Sequence, residues 1–171
     1  METGFMLKQL EAALATLNHC IRRCPDSQWQ EAQGDAPFSQ VVFHALFYCD
    51  VHLDTSMETF KAQAFHASQT AFFGDYEELE DRLPVRLYAR ADCLAYLEHC
   101  LAKARRVLPA LNPADLAAKP AVQPRLETRA ELLVYTTRHL QHHAAQLGLR
   151  LQLLGLGELP WFGSGWKVIV D

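Results

Sequence analysis

Arg138-His139-Leu140-Gln141-His142-His143, followed by Gln146, brings three imidazoles together late in an apolar stretch. If the stretch is helical, His139 and His143 stack on one face with Cβ atoms ~5–6 Å apart. Rings that close can share one metal ion, because each nitrogen has only ~2.0–2.1 Å to reach. His142 is turned about 100° from His143 and is the weaker partner, so it is a reserve ligand. A further ligand must come from another element. His44 sits among Phe43, Ala45, Leu46 and Phe47. An unpartnered imidazole buried there costs a few kcal/mol at most, and a ligand role would remove that cost. His52, two turns further on, is a second reserve. The competing reading of each is an ordinary core or surface histidine.

Three neutral imidazoles leave at least one position on a metal open, which is the catalytic rather than the structural zinc pattern. Imidazole suits zinc, nickel, iron and copper, so the ligands alone do not choose the ion. Water on the open position could ionise near neutral pH and attack an electrophile. A thiol could bind there instead as a thiolate. Tyr48 and Tyr135 stand four residues from His44 and His139, and Gln146 three from His143, so all three could line the pocket. Core packing with the hydroxyl at the rim is the plainer reading of both tyrosines. Glu98 could support a ligand, but a solvated charge is the simpler assignment.

Four amphipathic segments could position these residues. Leu7, Leu10, Leu14, Leu17 and Ile21 form one stripe, predicting a helix over about 5–23 that Cys24-Pro25 stops. Gln28 to Pro37 reads as a connector whose Trp29 packs back. Ser39 is placed to cap a second helix, about 39–60, roughly 30 Å long. From Lys61 to Arg86 the periodicity fails, as expected of a crossover returning along the bundle. Leu94, Leu97, Leu101 and Val107 mark a third helix, about 90–108, and Asn112-Pro113 a capped turn. Thr128-Arg129-Ala130-Glu131 has the form of a capping box and opens a fourth helix, about 129–154. The aromatic tail, with Trp161, Phe162 and Trp166, suggests a strap on the bundle or a subunit contact. The expected fold is all-α: one domain over 1–171, a four-helix bundle with a long connection between helices 2 and 3.

The bulk composition agrees. The 171 residues are 50% hydrophobic and 21% charged, with a net charge of −4, so no basic footprint points to nucleic acid. No apolar run approaches the ~20 residues of a membrane span. Met1-Glu2-Thr3-Gly4 shows no basic signal region, so the cytoplasm is expected. Five cysteines, an odd number, argue against a disulfide framework. Cys20 and Cys24, beside His19, read as two thiols near a helix end more readily than as a second metal site.

Phe38-Ser39-Gln40-Val41-Val42-Phe43-His44-Ala45-Leu46-Phe47 resembles the second helix of the DinB family. His139-Leu140-Gln141-His142-His143-Ala144-Ala145-Gln146-Leu147 resembles its fourth-helix motif, His-Glu-x-His-His-Arg-Gly-Gln, and Ala91 to Cys100 is similar to its third helix. The resemblance implies a left-over-right crossed four-helix bundle, commonly a homodimer, with a divalent metal on three histidines: here His44, His139 and His143. Zinc or nickel is the expected ion, with iron as a further option. Relatives include transferases that use low-molecular-weight thiols such as bacillithiol or mycothiol, and a maleylpyruvate isomerase. The resemblance therefore implies thiol transfer or isomerisation of a small electrophile ahead of metal-dependent hydrolysis; the acidic net charge and the lack of a spanning run argue against a nucleic acid or membrane partner. A non-catalytic metal-binding or dimeric interaction protein is the alternative. Leu140 departs from the acidic residue of the motif, and Ala144-Ala145 from Arg-Gly, which puts the support of the ligands in question.

Overall fold

The structure is a computed structural model that describes residues 3–33, 36–80, 82 and 84–169. Met1-Glu2, Gly34 of the connector and Val170-Asp171 of the tail lie outside the described residues.

The chain is all-α in class. Its four long helices are α1 (Gly4–Arg23), α2 (Phe38–His52), α3 (Arg90–Val107) and α4 (Arg129–Leu153). Helix α1 packs on α4 and α3, and α2 packs on the same two, so the helices surround one core. The stripe read from α1 supplies that core: Leu10, Leu14, Leu17 and Ile21 are all buried. Helix α2 is buried on most of its surface, from Phe38, Val42 and Phe43 to Phe47 and Val51.

Two expectations for α2 need correction. The helix does not run to residue 60 but ends at His52. Ser56 then caps a separate short helix, Met57–Lys61, in a reciprocal box with Thr59, and Asp54 accepts from Thr55 N at 2.9 Å. Short polar side chains bind the backbone here in competition with the helix ladder. Ser39 caps nothing. Its hydroxyl donates to Gln30 from inside the first turn, and Pro37 occupies the cap position. At α4 half of the capping box forms. Thr128 accepts from Glu131 N at 3.1 Å, while the Glu131 carboxylate accepts from Glu127 N instead of Thr128 N. The connector holds a helical turn, Asp26–Trp29, and a two-residue antiparallel ladder, Ala32–Gln33 with Ala36–Pro37, that no alternation announced.

The crossover is built, not loose. It carries Met57–Lys61, Ala64–Ser68, Thr70–Phe73 and the 3₁₀ turn Glu77–Leu79. Phe72 and Phe73 pack on Tyr96 and on Phe43, which also stacks on Tyr88 at 3.9 Å between centroids. A buried polar cluster ties the crossover to α2 and α3. Asp50 of α2 accepts from Lys103 and Tyr96 of α3, and from Gln63 and His66 of the crossover. Burial pushes the Asp50 carboxyl up, but hydrogen bonds from His66, His99 and Lys103 outweigh it and hold it well below the usual carboxylate range. Gly74 has φ +54°, a conformation that favours glycine, and the Arg86 guanidinium packs where a Cβ would be.

The tail straps the bundle. Phe162 is buried against Ala12 and Ala15, Gly165 N donates to Lys8 O at 2.8 Å, and Leu159 lies over the bare Cα of Gly148. Trp161 points away and is 86% exposed.

Candidate metal centre

Helix α2 carries His44, and α4 carries His139 and His143 one turn apart. The packing of α2 on α4 brings the three rings together. His139 Nε2 lies 3.2 Å from His44 Nε2 and 3.1 Å from His143 Nε2. Candidate ligand atoms of all three histidines fall within 4.8 Å of one another.

The outer nitrogens show which lone pairs are free. His44 Nδ1 is 2.8 Å from Glu78 Oε2, a carboxylate that can only accept, so the neutral ring carries its proton on Nδ1 and presents the lone pair at Nε2. His143 Nδ1 donates in the same way to Gln146 Oε1 at 2.9 Å. Two lone pairs thus converge on His139 Nε2, and one N–H there cannot serve both well. The arrangement suits a shared cation. Nitrogens each ~2.0–2.1 Å from one ion stand about 2.9–3.4 Å apart at angles near 90–110°. His139 Nδ1 is buried with no hydrogen-bond partner among the described residues. A ligand role would place the proton on that nitrogen, so the centre is braced on two sides and not on the third.

The electrostatics favour neutral rings at His139 and His143. Burial, and then the neighbouring His143 and His44, push His139 down to about 3. Burial and His44 likewise push His143 down to about 4. Uncharged imidazole is the form that binds metal.

Tyr48 and Tyr135 flank the cluster. The Tyr48 hydroxyl donates to Glu78 O at 3.0 Å, and its ring stands 4.9 Å from His44. Tyr135 stacks on His139 at 6.2 Å and is 37% exposed at the rim. A shallow open depression of about 530 Å³ along α4, lined by Tyr135, Arg138, His139 and His142 among others, opens beside His139.

The two reserve histidines are not among the three whose nitrogens converge. His52 is buried, with Nδ1 3.1 Å from Thr136 Oγ1. His142 is exposed, its ring 5.0 Å from that of His143. Glu98 is exposed on α3. The carboxylate that reaches a histidine of the cluster is Glu78, only 4% exposed, from the 3₁₀ turn of the crossover. Sequence reasoning missed it, because one acidic residue in the run Asp75 to Glu80 carries no periodicity to say which side chain points inward. The departures from the family motif also find their places. Leu140 is buried in the core, and the Ala144 carbonyl accepts the Cys20 thiol at 3.5 Å.

All five cysteines are buried and free. Burial pushes Cys20 up to about 12 and Cys24 up to about 11, so both stay protonated near neutral pH. Among the described residues, the three histidines are the one group arranged to hold a metal.

No match was found among curated proteins or among solved structures. The family comparison is positive: residues 9–147, which include all three clustered histidines, match the DinB superfamily, and the chain belongs to it.

Proposed function

We propose that His44, His139 and His143 hold one divalent transition ion, zinc or nickel first, and that the protein is a metal-dependent enzyme acting on a small molecule by thiol transfer or isomerisation. The observation that carries this reading is the approach of His44 Nε2 and His143 Nε2 to His139 Nε2, at 3.2 and 3.1 Å, with two Nδ1 atoms committed to Glu78 and Gln146. Bound there, the ion would supply an open Lewis-acidic position that lowers the pKa of a thiol or water placed on it.

The chain's own residues divide the remaining work. Glu78 and Gln146 hold the imidazole planes and tautomers of His44 and His143. Tyr48 has its hydroxyl proton on Glu78 O, which makes it a brace for the turn and not an acid. Tyr135 closes one side of the site. With Cys20 and Cys24 protonated, and the other three thiols buried, a nucleophilic thiol would arrive from solution. This favours a low-molecular-weight thiol as cosubstrate.

A second reading is a non-catalytic bundle that binds metal and acts through a homodimer or a partner. Exposed apolar residues at one end of α4 and in the tail favour it: Leu149 at 55%, Leu153 at 77% and Trp161 at 86%.

The deciding experiment is elemental analysis of protein purified without an affinity tag, then turnover screens of the loaded protein with several thiols and electrophiles. About one equivalent of metal with thiol-dependent turnover supports the enzyme. Metal without turnover supports the second reading. Neither uptake nor turnover overturns both.

A further inference from the structure

Tyr76 has φ +58°, the one positive φ among described non-glycine residues. A glycine would adopt that conformation without steric penalty, and an aromatic residue does so at a cost. The tyrosine must therefore contribute something through its side chain. Its hydroxyl is 3.1 Å from His66 Nδ1, and His66 Nε2 is 2.8 Å from Asp50 Oδ2. With His66 neutral, Tyr76 donates to Nδ1 and the Nε2 proton is donated to Asp50. His66 is fixed as well by its ring, stacked 3.7 Å from Phe73. The relay runs from the left-handed residue of the crossover to a fully buried carboxylate on α2.

Tyr76 is also where the turn bearing Glu78 begins. Its carbonyl accepts from Leu79 N at 2.8 Å, closing the 3₁₀ turn Glu77–Leu79. Glu77, the first residue of that turn, adds a second anchor, accepting from Arg86 N at 3.0 Å and from Arg82. The next residue, Glu78, meets His44 Nδ1. Asp50 and His44 lie on the same helix, so the relay ties the turn back to the element it serves.

We propose that the buried Asp50–His66–Tyr76 relay is a positioning device for the histidine cluster: it fixes the turn from which Glu78 reaches His44, and so sets the tautomer in which His44 presents Nε2 to the shared point. Tyr76 and His66 are positioning residues. They touch neither metal nor substrate and act through Glu78. The value of the device to catalysis rests on the metal reading above, but its effect on His44 does not.

The test uses the full chain as Tyr76→Phe, which keeps the ring and removes the hydroxyl, with His66→Phe as a second route to the same break and Glu78→Ala as the comparator. Long-range proton–nitrogen spectra of the metal-free protein report the His44 tautomer, and competition with a chelator reports zinc affinity. In the wild type His44 carries its proton on Nδ1. In both relay variants a substantial share moves to Nε2. Losing an outer partner of a ligating histidine weakens metal binding about 10–100-fold, so Glu78→Ala belongs in that range and Tyr76→Phe should lose about threefold or more. Adding Tyr76→Phe to Glu78→Ala should cost no further affinity. A wild-type tautomer in Tyr76→Phe overturns the proposal, since Glu77 and the Tyr48 hydroxyl on Glu78 O would then be holding the turn. An equal further loss in the Glu78→Ala background also overturns it, because Tyr76 would be acting by another route. If the wild type takes up no zinc while the tautomer still follows Tyr76, the metal function falls and the positioning role stands.

Discussion

Asp50→Ala is the most informative single perturbation of the fold. The Asp50 side chain is fully buried and accepts from His66 at 2.8 Å, Tyr96 at 3.0 Å, Gln63 at 3.2 Å and Lys103. Removing it strands several donors at once. Lys103, 3% exposed, keeps Asp54 at 2.7 Å but loses its closer partner. Breaking a buried ion pair from one side costs about 3–5 kcal/mol, and a stranded buried donor about 1–3 kcal/mol. These terms overlap, and the retained Asp54 contact offsets part of the first, so a loss of about 4 kcal/mol is expected. That is a large share of the ~5–15 kcal/mol of a typical domain. Urea unfolding measures it as a lower midpoint with an unchanged slope. The double variant Asp50→Leu with Lys103→Met also removes the stranded ammonium and should recover the part of the loss that comes from Lys103, though not the part from His66, Tyr96 and Gln63. A loss below about 1 kcal/mol for Asp50→Ala, or no recovery in the double variant, would refute the reasoning.

The same carboxylate predicts an acid limb. Its folded pKa is depressed, so its stabilisation is complete above the unfolded value of ~3.9 and is lost as pH falls from there toward the lower folded value. Urea midpoints measured across that window should fall steeply for the wild type and more gently for Asp50→Ala, and parallel slopes would contradict the assignment. At the metal centre, His44→Ala and His139→Ala should each abolish tight metal uptake, while His142→Ala leaves it nearly intact. Elemental analysis checks this, and equal losses in all three would show that the ligand assignment is wrong. In the tail, Phe162→Ala should cost about 3 kcal/mol, whereas Trp161→Ser should stay within about 0.5 kcal/mol in the monomer. Thermal melts compare the two, and reversed ranks would mean that the strap is held by another contact.

Periodicity carried most of the secondary structure. The stripe from Leu10 to Ile21 and the apolar runs around His44 and His139 predict helices that α1, α2 and α4 show. It misjudged the end of α2, because residues 53–60 keep apolar spacing while Asp54, Ser56 and Thr59 bind the backbone locally. The buried Asp50–Lys103 cluster was invisible for a related reason. A charged residue in a helical pattern is assigned outward by default, and only packing against a second element reveals one turned inward.

The sequence by itself determined that His139 and His143 share a helix face, since a four-residue spacing on 3.6 residues per turn allows little else. It also placed His44 on an apolar helix. Tertiary structure alone decided that these two helices are neighbours, that His52 turns to Thr136 and His142 to solvent, and that Glu78 arrives from the crossover. The physical reason is range. Helix geometry relates residues a few positions apart, whereas the contact between His44 and His139 and that between His44 and Glu78 exist only once the core has closed around them.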